Sequence, residues 1–372
     1  MPQKSTMAIS AAFDSASVLW RASVHDGFVL VDSSADLGKT FKKPVKVNQA
    51  AMKIAADGEA RPKLAVSPEG NIYLTWTEAL SKPFAGYIWF ARSVDGGKSF
   101  EKPYIAHTDR AEITHRFDAL NVSLQGKITV AWVDKRDLIA AKAAGKPYDG
   151  AAIYYAVSTD AGKSFTPEQK LADASCECCR IALTNKMDGT VVAMWRHVFA
   201  GSERDHAIAE IPSGNSTGKA PTIVRASFGH WKIDGCPHHG AALAEGAGFG
   251  YHMAYFDGAG DKPSLMVARM DGEAWVTSPP KRFGNMKNSA GHPSLLSLGD
   301  QVWLVWKETN VAKETEIYQK QSEDGGKSWS EANLVFTTKA KTDYPQLIEN
   351  KGKVYLIINS AMDDLNLISL KD

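Results

Sequence analysis

The sequence predicts an all-β protein: one six-bladed β-propeller of four-stranded antiparallel blades, spanning residues 1–372 as a single domain. Three observations predict it. A turn motif recurs at intervals suited to a blade, a second repeat reads as an inner strand, and helical periodicity is almost absent.

The turn motif has four copies, Ser34 to Phe41, Ser93 to Phe100, Ser158 to Phe165 and Ser322 to Trp329, all reading Ser-x-Asp-x-Gly-Lys-Ser/Thr-aromatic. Each residue type has a task in a hairpin loop. The Asp carboxylate accepts backbone N–H groups of the turn, the Gly supplies a positive φ, and the aromatic anchors the loop between strands. Flanking segments such as Tyr87 to Ser93 and Ile153 to Ser158 alternate and are rich in aromatic and β-branched residues, so each motif joins the outer two strands of a blade. Met270 to Trp275 reads as a decayed copy.

The second repeat has six copies: Arg61 to Trp76, His115 to Trp132, Cys178 to Trp195, His238 to Tyr255, Gly291 to Trp306 and Asp343 to Ile358. Each predicts an innermost strand and its return, and their number sets the expected blade count. Trp76, Trp132, Trp195 and Trp306 recur at one slot and are assigned to packing between blades. The Ala-rich stretch Leu138 to Lys146 is the one helical candidate, read as a short loop helix.

Composition narrows the function. With 44% hydrophobic and 23% charged residues and a formal net charge of +1, the chain can bury a substantial core and offers nothing to a polyanion. It has neither an 18-residue apolar run nor a basic stripe, so neither a membrane span nor nucleic acid is expected. A metal ion or small molecule is the expected partner, and the chain is expected to be a monomer. The polar start, Met1 to Ser10, lacks the apolar centre of a secretory leader.

The turn motifs, the blade spacing and the Arg61-Pro-Lys-Leu segment resemble the sialidase (neuraminidase) superfamily of Asp-box propellers. That resemblance covers nearly the whole chain and implies periplasmic or secreted placement. It also implies a test of the site. Sialidases clamp a substrate carboxylate with three arginines and use a Tyr nucleophile assisted by Glu, with an Asp as acid/base. Arg61 matches the first arginine and Tyr344 the nucleophile, which makes an exo-sialidase one alternative. Where the second and third arginines are expected, the chain carries His238-His239 and His292. Neutral imidazoles lack the charged fork that grips a carboxylate, so sialidase activity is not the leading expectation.

What stands in the clamp's place is informative. The segments leading into the inner strands crowd one end of a propeller axis. They carry His115 and Arg116, then Cys178, Cys179 and Arg180, then Cys236, His238 and His239, then His292. Thiolate and imidazole suit copper(I) or zinc, so Cys176, Cys178, Cys179, Cys236, His238, His239 and His292 are the candidate ligands of a transition metal. His115, Arg116 and Arg180 are candidate ligand-binding residues beside it. The other reading pairs the four cysteines in two disulfides that tie a binding scaffold, and both remain open. The awkward geometry of a bond between adjacent Cys178 and Cys179, and the clustered histidines, tilt towards metal. Asp134 to Asp137 reads as a charged turn, His197 and His206 as surface residues, and His25, His107 and His230 receive no assignment.

Overall fold

A computed structural model describes residues 7–212, 221–235, 238–362 and 365–370. Seven sheets follow one another along the chain, six with four strands and the last with three, each antiparallel and ordered as in sequence. The innermost strands, in blade order, are Ser10–Phe13, Lys63–Val66, His115–Val122, Ala182–Asn185, Ala242–Gly246, Gly291–Leu298 and Gln346–Asn350. Each packs on the next and the last packs on the first, so the sheets form a closed ring.

Seven blades correct the expected six. The missed blade is the first, made of Ser10–Phe13, Leu19–His25, Phe28–Ser34 and Val45–Lys46. Its turn motif at Ser34 was plain in sequence, but its inner strand has no Arg, His or Cys leading into it. A count of inner-strand repeats therefore began one blade late. The only α-helix among the described residues is Arg136–Ala143, two residues earlier than expected and lying between strands of the third blade.

The core lies between blades. Second strands such as Ile128–Asp134 and Val191–Arg196 are buried along their whole length, because neighbouring blades cover both faces. Trp76, Trp132, Trp195 and Trp306 are at most 1% exposed. Three of these indoles satisfy their N–H two residues along the same strand: Trp132 donates to Asp134 at 2.9 Å, Trp195 to His197 at 3.3 Å and Trp306 to Glu308 at 2.8 Å. The period-2 geometry of a strand places residues i and i+2 on one face, so the ring and its acceptor travel together. His206, expected at the surface, is buried at 1% exposure in the packing beside Tyr255.

The repeated hairpins bond as their sequence implies. Asp36, Asp95, Asp160 and Asp324 each accept the backbone N–H and the hydroxyl of the residue four positions on, the hydroxyl bond being 2.6 Å in every copy. The glycines also face the preceding blade. A Cβ at Gly97 would lie 2.4 Å from the Trp20 ring, and one at Gly162 would lie 2.7 Å from Phe90. With φ near +74° and +76°, these two positions need glycine for conformation and for space.

Closure combines an apolar seam between the first and last blades, where Ile9, Ala11 and Leu19 pack with Ile357, and a set of polar bonds. Arg61, ahead of the second blade, reaches past the first to Asp343, ahead of the last, through bonds of 2.7 and 2.9 Å. Its other N–H groups go to Ile9 O at 2.8 Å and twice to Gly58 O, at 3.0 and 2.7 Å. All five guanidinium donors are thus used inside the protein. Asp343 also accepts the Ile9 N–H at 3.2 Å.

Two outcomes follow from these bonds. Arg61→Leu strands a buried carboxylate, Asp343, and is expected to cost roughly 3–5 kcal/mol in urea unfolding; a loss below about 1 kcal/mol would show that closure does not rest on this pair. The hairpin carboxylates give a pH signature. Hydrogen bonds from Thr40 and Ser34 hold Asp36 at about 2, and those from Ser99 and Ser93 hold Asp95 at about 2. Depressed folded values stabilise the protein above the unfolded carboxylate value of about 3.9, and that contribution is lost as pH falls towards about 2. The thermal midpoint should therefore drop across this window, and the drop should be shallower in an Asp36→Asn, Asp95→Asn double variant.

Candidate functional site

The segments leading into five of the seven inner strands meet at one end of the axis around a cleft of about 530 Å³. Its wall includes Glu59 from the second blade, Arg116 from the third, Cys178 from the fourth, His238 from the fifth and Tyr344 from the seventh, with Phe84 at the rim. Backbone irregularity aims these side chains. The pairing of His115–Val122 with Ile128–Asp134 slips between Ala131 and Val133, and that of Gly291–Leu298 slips between Gly291 and Ser294. Phe117 and His292 occupy those bulges at φ of 55° and 54°, and His238 stands at 53° ahead of the fifth blade. Such conformations are costly for residues with a Cβ and concentrate where side chains must be redirected.

The three cysteines of the fourth blade form one cluster. Cys176 Sγ lies 3.8 Å from Cys178 Sγ and 3.9 Å from Cys179 Sγ, and all three sulfurs lie within 4.8 Å of one another. None is bonded to another, and their residues are 1%, 5% and 3% exposed. They are wedged between the third and fourth blades among Phe117, Val133 and Trp195, and the Cys176 N–H is fixed to Arg196 O at 2.8 Å. Hydrogen bonds from Cys178 and Cys179 hold the Cys176 thiol far below the usual thiol range. The same bonds, with burial, push Cys178 and Cys179 up. The three thiols are therefore inequivalent, with Cys176 the most acidic.

The candidate histidines lie apart from the sulfurs, and of them His238 lines the cleft. Among the described residues, His238, His239 and His292 do not fall within the 4.8 Å sulfur group. His238 is exposed on the cleft wall. His239 stacks on Phe256 at 4.2 Å, and burial lowers its ring to about 4, so it is neutral. His292 donates through Nδ1 to Glu59 at 2.9 Å and stacks on Tyr344 at 3.4 Å. Cys236 lies outside the described residues.

The candidate binding residues divide as well. His115 is fully buried behind the cleft, bonded to Gly86 O at 2.9 Å and stacked on His107 at 4.1 Å. Arg180 crosses three blades, donating to Ala241 O at 3.2 Å, Pro293 O at 2.7 Å and Glu59 at 3.5 Å. Arg116 lines the cleft with its guanidinium 5.0 Å from the Phe117 ring, and no carboxylate among the described residues pairs with it.

Glu59 went unnoticed in the sequence, although it stands two residues before Arg61. Burial alone would raise its carboxyl, but the Arg180 guanidinium and the His292 ring overcome that and hold it at about 2. Gly240 makes the arrangement possible, because a Cβ there would lie 2.1 Å from Arg180 Cγ and 2.7 Å from Glu59 Oε2.

Fold and site together define a seven-bladed β-propeller with thiol, imidazole and carboxylate groups gathered at one axial end. Solved structures of similar fold include the Hadza microbial sialidase Hz136, at 16% identity over 95% of this chain and 76% of that one, with a TM-score of 0.55. A polysaccharide lyase of family PL25, an ulvan lyase, matches at 11% identity over 96% and 90% of the two chains, with a TM-score of 0.59. The GH93 α-L-arabinofuranosidase of Fusarium graminearum matches at 13% identity over 89% and 92%, with a TM-score of 0.50. At such identities the likeness is one of fold. No protein-family model matches the sequence, and no curated protein matches it. Among the described residues, no helix is long and apolar enough to cross a membrane.

Substituting Gly240 tests how tightly the site is packed. Gly240→Ala should displace Arg180 and Glu59 and cost about 1–3 kcal/mol in urea unfolding, the usual range for overpacking. An unchanged midpoint would mean that this corner is loose.

Proposed function

We propose that the propeller binds one soft transition-metal ion, copper(I) or zinc, through Cys176, Cys178 and Cys179 at the wall of the axial cleft. The observation that carries this reading is the spacing of three unbonded sulfurs, 3.8 and 3.9 Å about Cys176. Zinc–sulfur bonds of about 2.3 Å put the sulfurs of a tetrahedral site about 3.8 Å apart. Ordinary sulfur contact falls in the same range, so the spacing admits a metal without demanding one. Donor chemistry then favours a thiophilic ion, because nothing hard is offered by three thiols in an apolar pocket. Cys178 also lines the cleft, which gives the cluster a way in from solvent.

A sialidase-type reading has less support. Arg61 has no N–H left to offer a substrate carboxylate, since Asp343, Gly58 and Ile9 take all five. Tyr344 is packed face to face with His292 and closely against Gly58. A disulfide-tied scaffold is less favoured too, because the three described thiols are free.

Elemental analysis of protein purified under reducing conditions and loaded with zinc or copper(I) tests the proposal. One equivalent per chain is expected. Cys176→Ser and Cys178→Ser should each lower affinity by tenfold or more, taking about 1.4 kcal/mol per decade, with little change in the unfolding midpoint of the metal-free protein. A fluorogenic sialoside should not be turned over. Metal-free wild type after loading, or full metal retention by both variants, would overturn the proposal.

A further inference from the structure

Arg116 is the cation on the cleft wall that neither ring closure nor the proposed metal site uses. Among the described residues, its guanidinium makes no hydrogen bond and no ion pair. The other arginines at this end are committed. Arg61 is spent on Asp343, Gly58 and Ile9, and Arg180 on Glu59, Ala241 and Pro293. Lys135, the second cation on the wall, is paired with Glu177. A half-buried guanidinium with five N–H donors in a planar fork is therefore left open to the cleft.

Two phenyl rings lie against that guanidinium. Its central carbon is 5.0 Å from the Phe117 ring and 5.9 Å from the Phe84 ring, both within reach of a cation–π contact. Phe117 and Phe84 stand at φ of 55° and 63°. That conformation is costly for a residue with a Cβ and gathers at ligand sites. Thr114 fastens the Phe84 turn by donating to its carbonyl at 3.0 Å, yet the Phe84 side of the cleft stays in water, with the residue 72% exposed. Aromatic faces steady the cation and shed water around it without accepting its in-plane N–H groups. The fork is thus kept for oxygen atoms that the protein does not supply.

The same cavity holds the way in to the sulfurs. Phe117 belongs to the apolar cluster that encloses the three cysteines, and of these Cys178 lines the cleft together with Arg116. The volume of about 530 Å³ falls in the range of small-molecule sites, roughly 300–1,000 Å³. Charges on the wall are mixed in sign. Glu59 is paired with Arg180 and His292, whereas Asp57 accepts the Ala60 N–H at 3.1 Å and meets no cation among the described residues. Such a wall has no single-sign field to draw a simple anion. It suits a ligand that carries a positive centre and anionic arms close together.

We propose that the cleft receives its metal as a small carboxylate chelate, with Arg116 docking a carboxylate of the chelator while the metal passes to Cys178. This rests on the metal site proposed at Cys176, Cys178 and Cys179. The guanidinium fork matches the two oxygens of a carboxylate, which fixes the complex as well as attracting it. In transfer a metal–oxygen bond to the chelator breaks as a metal–sulfur bond forms. The Cys178 thiol proton goes to the carboxylate so released, the metal keeps its oxidation state, and the chelator leaves with that proton.

Zinc uptake from zinc citrate in excess citrate, where free zinc is scarce, gives the test, followed over time by elemental analysis of desalted protein. Arg116→Gln should slow this uptake by roughly tenfold, the loss expected for a charge-assisted bond. Arg116→Lys, which keeps the charge without the fork, should fall between. Uptake of aquo zinc, and the final one equivalent per chain, should be the same in all three proteins. Calorimetry of citrate against metal-free protein reads the docking step alone, and Arg116→Gln should weaken that binding by roughly tenfold. Equal uptake from zinc citrate by wild type and Arg116→Gln would refute the docking role and leave the sulfur site standing. Equal slowing from both zinc sources would refute it too, by placing the effect of Arg116 on the sulfurs themselves. No uptake from either source would remove the sulfur site and this inference together.

Discussion

The ring closes where the first and last blades meet, and there the buried pair of Arg61 and Asp343 bridges the blades on either side of the first, beside an apolar seam of Ile9, Leu19 and Ile357. The interaction spans the first blade and also captures Ile9 at its start. Much at the axial end depends on it. With five donors committed, Arg61 pins Gly58, Gly58 backs Tyr344, Tyr344 stacks on His292, and His292 is bonded to Glu59. Closure and site are therefore one chain of contacts. A change that loosens the seam is transmitted to the cleft through neighbours that touch.

The hairpins were legible because their chemistry is local. Serine, aspartate, glycine and an aromatic within eight residues specify a loop with its bonds, and four copies specify repetition. The blade number was less so, since the first inner strand carries none of the side chains that marked the others. The sulfur cluster could be read directly, as Cys176, Cys178 and Cys179 are neighbours in sequence. Which histidines join it depends on the stagger of blades and on bulges, and no pattern in one sequence fixes those. His292 illustrates this: its partner, Glu59, is 233 residues away. Arg61 was legible as important and misleading as to why, because an arginine leading into an inner strand looks the same whether it faces a substrate or Asp343.

Two chemistries stand side by side around the cleft. On the wall between third and fourth blades are three soft donors in an apolar pocket. Across the axis is a hard pair, a buried carboxylate and a neutral imidazole, steadied by Arg180. Arg196 stands between them, fixing Cys176 through its carbonyl and reaching Phe256 O at 2.8 Å beneath His239. Solved propellers of this shape include a sialidase, a polysaccharide lyase and an arabinofuranosidase.

X-ray absorption at the zinc or copper edge of the loaded protein tests the sulfur assignment most directly, because it counts the donor atoms around the metal. The account predicts three sulfur neighbours at about 2.3 Å for zinc. A first shell made only of nitrogen and oxygen would contradict it, whatever the amount of metal bound.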